Sequence, residues 1–377
     1  MRDAILYSAA EERGRRCAER WRGDVPLFVC VLAHTDTCLV PGVSAAGVSE
    51  QLRSYTPAAD AEVIVHGEPR CLPSMPSNPL GAPGPAGITR AAVRLAGMPV
   101  ELYAAGLRVE PDAPFTRVAC APGGRIDAGG AVPEAAALFA RGRALGRGLA
   151  GRARYVVLAE SVPGGTTTAL ALLLTLGVAA EGRVSGSQRG NAHDVKSRIA
   201  RAALAAAGLR PGDGRTDPLA AAAEVGDPMQ PLAAGIAAGL ADVDTDVLLA
   251  GGSQMVAVAA LLAAVEGRDA LARTAVGTTR WVVADPASDV AGLARDVSPT
   301  LPLLAANLHF AQARHLPLRI YEDFLVKEGA GAGGACVAAL LATGAPIGEL
   351  ERAIDDEYVR AISYQPSAVS REVRADR

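Results

Sequence analysis

No run of the 377 residues is both apolar and long enough to cross a bilayer. The longest candidate, ALALLLTLGVAA, falls short of the roughly 20 residues a spanning helix needs. The N-terminus, MRDAILYSAAEERGRRC, alternates charge with short apolar groups and lacks the continuous apolar stretch of a secretory signal, so a cytoplasmic protein is expected. An excess of charge is missing too. With 37 basic against 40 acidic residues and a net charge of -3, nothing suggests a nucleic-acid or anionic-membrane partner, and a small molecule is the expected one. The cysteines Cys17, Cys30, Cys38, Cys71, Cys120 and Cys336 show no C-x-x-C spacing, which indicates neither a disulfide framework nor a zinc site. They read as reduced, small core residues, and no bound metal or cofactor is expected.

What is present is ample core material, at 50% apolar content, arranged in alternation. Short β-branched runs, VPLFVCVLAH, YVVLAE, TDVLLAGG and TTRWVVAD, are each followed by a glycine-rich turn and an Ala/Leu stretch of helical length. That order predicts βαβ units: an α/β protein with a doubly wound, mostly parallel, Rossmann-like sheet and a smaller subregion from the N- and C-terminal segments. Pro and Gly crowd residues 69–90, and a second break lies at 208–218, but neither is a long interdomain linker. The expected organisation is an N-terminal helical segment over 1–25, an α/β domain over 26–345, and a C-terminal helix with a polar tail over 346–377.

The chemistry concentrates in glycine-rich loops. In AESVPGGTTT, after YVVL, Gly164 and Gly165 let the backbone turn sharply, the following helix offers unpaired N–H groups, and Thr166, Thr167 and Thr168 add hydroxyl donors. This suits a phosphate, although the loop is neither G-x-x-x-x-G-K-[ST] nor G-x-G-x-x-G. A tight turn capped by threonine is the plainer alternative. Downstream, RVSGSQRGNAHDVKSR places Lys196 near the start of a helix, where it opposes the dipole unless solvent or an anion faces it. A third loop repeats the design with Gly251, Gly252 and Ser253. In open α/β sheets such loops meet at the carboxyl ends of the strands. In KEGAGAGG, Glu328 precedes a run of small residues and an apolar helix. It is either a dipole-stabilised cap or, with the small residues leaving room for a flat ring, a base for a ring N–H proton.

Together, ESVPGGTTTAL, the Gly/Ser loop ending in Lys196, AGGSQM and KEGAGAGG resemble the nicotinate-nucleotide-dimethylbenzimidazole phosphoribosyltransferase superfamily, closest to its uncharacterised archaeal and cyanobacterial branch. LAHTDTCLVPGVSAAGVSEQLRSYTPAADAE and PSNPLGAPGPAGITRAA resemble that branch as well, so the similarity runs from about residue 26 to about 345. The resemblance implies transfer of ribose 5-phosphate from nicotinate mononucleotide to an aromatic base, 5,6-dimethylbenzimidazole or a related azole, in a homodimeric enzyme of cobalamin biosynthesis. It makes Glu328 the general base and Glu160 the acidic residue opening the first loop. Gly164, Gly165, Thr166, Thr167 and Lys196 become phosphate contacts, with Gly252, Ser253, Gly329 and Gly331 completing the substrate site. The well-studied bacterial enzymes read G-E-M-G-I-G-N-T-T and G-E-G-T-G where this chain has Ala159, Pro163 and Gly165 in the first loop and Lys327 and Ala330 in the last. Those departures leave the acceptor open: another azole, a purine-like base or a phenol.

Other residues carry two readings each. His34 and Asp36 end the first apolar run and either touch substrate or form a turn; Asp60 and Glu62 stabilise a turn before a strand or act in the site. His193 and Asp194 read as caps of the Lys196 helix. Asp285 is placed at a strand end where it meets ribose hydroxyls or only turns the chain, and His309 and Glu322 are similarly placed. A mononucleotide-binding or sensing protein without transfer is the alternative function, as is a transferase for specialised nucleoside biosynthesis, which the Ala, Arg and Gly content of a high-GC genome would suit. An NAD oxidoreductase would need a glycine fingerprint that AHTDTCLVPG does not supply.

Overall fold

The computed structural model describes residues 3–44, 46, 49–73, 77 and 80–362. Eight strands form one sheet: β1 (Ile5–Ala9), β2 (Leu27–Leu32), β3 (Val100–Ala105), β4 (Thr116–Ala119), β5 (Tyr155–Ser161), β6 (Asp246–Ala250), β7 (Thr274–Thr279) and β8 (Leu303–Ala306). Their spatial order is β1-β8-β7-β6-β5-β2-β3-β4, and every pairing is parallel except β1 against β8. The central strands β2, β5, β6 and β7 are buried along their whole length, which is why they read as continuous apolar runs.

Helices cover both faces, as the alternation predicts. On one face lie α1 (Glu11–Trp21), α3 (Thr56–His66), α4 (Ala86–Ala96), α13 (Ala332–Thr343) and α14 (Ile347–Ile362); on the other lie α5 (Ala135–Gly148), α6 (Gly165–Thr175), α7 (His193–Ala206), α8 (Pro218–Val225), α9 (Met229–Ala241), α10 (Ser253–Glu266) and α12 (Val290–Val297). Two short helices, α2 (Glu50–Arg53) and α11 (Arg280–Ala284), complete the set. Among the described residues no helix is long and apolar enough to cross a membrane.

Three expectations need correction. The segment 1–25 is not helical throughout, because it opens with β1, which pairs antiparallel with β8 at the sheet edge. TTRWVVAD is not one strand: β7 ends at Thr279, and Arg280–Ala284 turns into α11, which buries Trp281 against Phe310 and Tyr321. A short apolar run fits either element, and aromatic packing decided this one. The Lys196 loop is not a βα loop, since it joins α6 directly to α7. The polar tail, residues 363–377, lies outside the described residues.

The chain builds β2, β3 and β4 outward in one direction, then returns to build β5, β6, β7 and β8 in the other. The reversal between β2 and β5 opens a crevice at their carboxyl ends, since the connections after the two strands diverge.

One helix pair is unusually close. Gly142 and Gly146 of α5 face Gly235 and Gly239 of α9, and a β-carbon on any of the four would lie 2.1–2.3 Å from a carbonyl oxygen of the opposite helix. The two backbones touch with no side chain between them.

Candidate active site

The crevice is walled by the segments that follow β2, β5, β6 and β7, by the α6–α7 loop, and by the turn before α13. Glu160, Gly164, Gly165, Thr166, Lys196, Gly252, Ser253, Glu328 and Gly329 all line it. Two expected contacts do not. Thr167 is fully buried behind the wall, its hydroxyl without a hydrogen-bond partner among the described residues. Gly331 caps α13 against β5, where a β-carbon would come within 2.4 Å of Ala159 Cβ.

The first loop folds as its glycines require. Gly164 is left-handed (φ 80°) and lies so near Cys38 that a β-carbon would meet its backbone at 2.9 Å; one on Gly165 would lie 1.5 Å from Gln254 Oε1. The threonines divide their work. Thr166 faces the crevice, whereas Thr168 turns away to hydrogen-bond Asp227 Oδ2 at 2.5 Å. Three donor hydroxyls in the site become one because a helix shows only one residue of its first turn to the same side.

The carboxyls, Glu160 buried and Glu328 half-buried, are held by specific donors. Glu160, at the end of β5, accepts from Val162 N–H at 3.0 Å and from Gln254 Nε2 at 2.7 Å. Burial pushes its acidity far down, and the neighbouring Asp227 and Glu328 charges add to that. Glu328 accepts from Gly333 N–H at 3.0 Å, Gly329 N–H at 3.2 Å and Thr278 Oγ1 at 3.1 Å, and burial raises its pKa to about 7 against those stabilising bonds. The residue caps the start of α13 and also lines the crevice. The small residues after it do not leave room for a ring, however. β-carbons on Gly333 and Gly334 would fall 1.9 Å from Thr278 C and 2.3 Å from Ala250 Cβ, so these glycines seat the helix end directly on the sheet.

Lys196 is the cation of the site, 2% exposed, with Nζ donating to Asn191 O at 2.5 Å. Burial, helped by Lys327, lowers its pKa to about 7. An anion in the crevice would supply the missing counter-charge.

The remaining residues sort by contact. Asp60 is not in a turn before a strand; it lies in α3, lines the crevice, and accepts from Ser161 Oγ at 2.7 Å, with burial raising its pKa to about 6. Glu62, in the same helix, holds a loop by accepting the N–H groups of Arg70, Cys71 and Asp112. His34 is fully buried, 3.5 Å from Asp36, and Asp36 pairs with Arg108. His193 Nε2 donates to Ala287 O, and neither it nor Asp194 caps α7, whose first residue follows a left-handed Ala192. Asp285 follows α11 and not a strand, and its carboxylate is taken by Lys327 at 2.6 Å. Glu322 binds Arg280 and the N–H of Phe310, and His309 binds Asn307 and Glu351, so both serve the fold. Reading the sequence missed Gln254, two residues after the glycine pair of the third loop, and Ser185, whose N–H donates to Ser253 Oγ at 2.8 Å.

The site gives a prediction about stability. Glu328 ionises more readily in the unfolded chain, with an ordinary value of 4.5, than when folded, so its contribution is complete below about pH 4.5 and is lost as pH rises through about 7. Glu328→Gln removes that dependence. The variant should be more stable than the parent by about 1–3 kcal/mol at pH 8, with the gap closing by pH 5, in paired denaturant titrations. A gap that does not change with pH would contradict the raised carboxyl pKa.

No protein-family model matches the chain. It is 42% identical over 333 residues to a UPF0284 protein of Methanothermobacter thermautotrophicus, covering 88% of this chain and 91% of that one. It is 44% identical over 358 residues to a UPF0284 protein of Gloeobacter violaceus, covering 93% of each. Among solved structures, the nicotinate-nucleotide-dimethylbenzimidazole phosphoribosyltransferase of Thermus thermophilus superposes with a TM-score of 0.62 at 20% identity, over 92% of this chain and 88% of that one. A structure described as CobT from the same organism gives 0.56 at 20% identity, over 87% and 83%. Those superpositions show a shared fold, and the identities to the archaeal and cyanobacterial proteins establish that the chain belongs to the UPF0284 family.

Proposed function

We propose that the protein transfers the 5-phosphoribosyl group of nicotinate mononucleotide to a nitrogen of an aromatic base and releases nicotinate. The observation that carries this reading is one half-buried carboxyl, Glu328, with a pKa raised to about 7, and one buried ammonium, Lys196, on the walls of the same glycine-lined crevice. The phosphate is assigned to Lys196 and to the N–H groups at the start of α6, where the positive end of the helix dipole and the ammonium both attract an anion. The acceptor nitrogen attacks C1′ of the ribose as the bond from C1′ to the pyridinium nitrogen breaks. That electron pair returns to the nicotinate ring and neutralises it, while the proton of the acceptor N–H passes to Glu328. A base with a pKa near neutrality suits this step, because it is ionised when needed and still accepts a proton. Glu160, on the same wall and held by Val162 N–H and Gln254, is left to meet a substrate hydroxyl.

The test is incubation with nicotinate mononucleotide and 5,6-dimethylbenzimidazole, adenine or a phenol, following nicotinate by mass spectrometry. Release that depends on one base supports transfer and names the acceptor class. Tight nucleotide binding without release from any of them would instead favour a binding or sensing role.

Two further outcomes are expected. The rate at saturating substrate should rise with pH up to about 7 and level off above it, following ionisation of Glu328. Lys196→Ala should weaken binding of inorganic phosphate and of nicotinate mononucleotide by about 10- to 100-fold in calorimetry, the effect of losing one charged hydrogen bond. An unchanged affinity would place the phosphate elsewhere.

A further inference from the structure

The loop that carries Glu328 is bent in a way its sequence does not favour. Val326, Lys327 and Ala330 all take left-handed backbone angles, with φ of 66°, 61° and 50°. Residues with a β-carbon adopt that region at a cost of roughly 1 kcal/mol or more each, and keep it only where the surroundings fix the chain. Three contacts fix it here. The Lys327 carbonyl accepts from Thr279 Oγ1 at 2.6 Å, and Val326 N–H donates to Ser187 O at 2.9 Å. The Lys327 side chain, 1% exposed, runs inward to Asp285 Oδ2 at 2.6 Å and Asn191 Oδ1 at 2.5 Å.

Asn191 is the junction on the other side. Its side-chain nitrogen donates to Asp285 Oδ2 at 3.0 Å and Ala287 O at 2.8 Å, and its side-chain oxygen also accepts Gly186 N–H at 2.8 Å. Its main-chain oxygen accepts Lys196 Nζ. One asparagine therefore touches both the ammonium assigned to the phosphate and the ammonium next in sequence to the base. The bacterial pattern G-E-G-T-G has glycine at the position of Lys327, and glycine takes such an angle unaided. In this chain a lysine takes that angle, and a buried ion pair holds it there.

We infer that Lys327 is a positioning residue that fixes the Glu328 carboxyl relative to the anion-holding end of the crevice, by anchoring its own backbone to Asp285 and Asn191. The inference rests on the transfer reading above for its kinetic consequence. Its geometric consequence is independent of that reading.

Lys327→Met alone leaves Asp285 buried without a counter-charge, which by itself threatens folding. The test therefore uses Lys327→Met/Asp285→Asn, which removes both charges. A second variant, Asn191→Gly, keeps a left-handed angle and the main-chain oxygen bound to Lys196 but deletes the amide. Each is measured in three ways: steady-state kinetics with nicotinate mononucleotide, calorimetry with inorganic phosphate, and titration of the Glu328 carboxyl carbon by 13C NMR, assigned by difference from Glu328→Gln.

The expected result in either folded variant is a KM and a phosphate affinity within about threefold of the parent, with kcat lower by about 10- to 100-fold, the effect of a base displaced by about an ångström. The Glu328 midpoint should fall toward the ordinary carboxylate range as the loosened loop admits water. A lowered Tm with kcat and midpoint both unchanged would make Lys327 a merely structural residue and overturn the inference. If the parent protein transfers to no base, the transfer reading fails alone. The NMR midpoint then decides: a fall in either variant supports positioning, and no change in a folded variant overturns it.

Discussion

Glu328→Gln is expected to lower kcat for base-dependent nicotinate release by about 10²- to 10⁴-fold while leaving phosphate affinity within about threefold. The amide preserves the shape of the carboxyl; its oxygen can still accept from Gly333 N–H while its nitrogen donates to the Thr278 hydroxyl, which turns to accept, so the turn before α13 has no reason to rearrange. What is lost is the ability to take a proton. Phosphate affinity should survive because Lys196 stands on a separate helix, held by Asn191, and the charge that shifts it is that of Lys327 and not Glu328. Rapid-quench measurement of one turnover, beside calorimetry with nicotinate mononucleotide, separates the two effects. Equal loss of both would mean that Glu328 holds the donor and does not act on the acceptor.

Gly146→Leu and Gly239→Leu should each destabilise the protein by about 3 kcal/mol or more, or prevent folding, although neither residue is near the crevice. The new β-carbon would meet Ile236 O at 2.2 Å in the first case and Arg143 O at 2.1 Å in the second, and main-chain atoms cannot rotate aside as a side chain can. Relief requires the helices to separate, and α9 lies against α10 and the sheet, so separation opens the core cluster that contains Leu232 and Ile236. Gly148→Ala provides the control. It ends the same helix, is exposed, and has nothing within 4 Å of the added carbon, so a change of no more than about 1 kcal/mol is expected. Denaturant midpoints of the three variants decide the matter, and similar values for all of them would show that the crossing tolerates side chains.

The legible part of this molecule was local. AESVPGGTTT announced a turn and a helix start because glycine and threonine act on their immediate neighbours, and the buried strands announced themselves because parallel sheets bury both faces. Glu328 and Lys196 were found for the same reason, as charged residues beside glycine loops. The supporting contacts were not legible. Asn191 meets Asp285 across 94 positions and Lys327 across 136, and nothing in either local stretch indicates the other. The glycines of α5 and α9 are visible in sequence as a four-residue spacing, but that they face one another is a property of the crossing alone. Small residues after Glu328 looked like empty space, and the structure fills that space with the backbone of β7 and the side chain of Ala250. Glycine in a sequence marks a close approach without saying what approaches.

The pairing of β1 with β8 joins Ile5 to Ala306, almost the whole length of the chain. Ala4 O receives Asn307 N–H at 3.0 Å, and Arg13 reaches Thr300 O at 2.7 Å, so β1 finds its sheet partner about 300 residues further along the chain. Strands β2, β3 and β5 can assemble as they emerge, since each needs only neighbours already made or soon to follow. The N-terminal strand must wait through the synthesis of roughly 300 residues, at rates of about 5–20 residues per second, before its ladder exists. Its docking is thus a late event in the life of each new chain, and a nascent chain stalled before residue 303 carries an apolar segment, Ile5–Ala9, with no β8 to receive it.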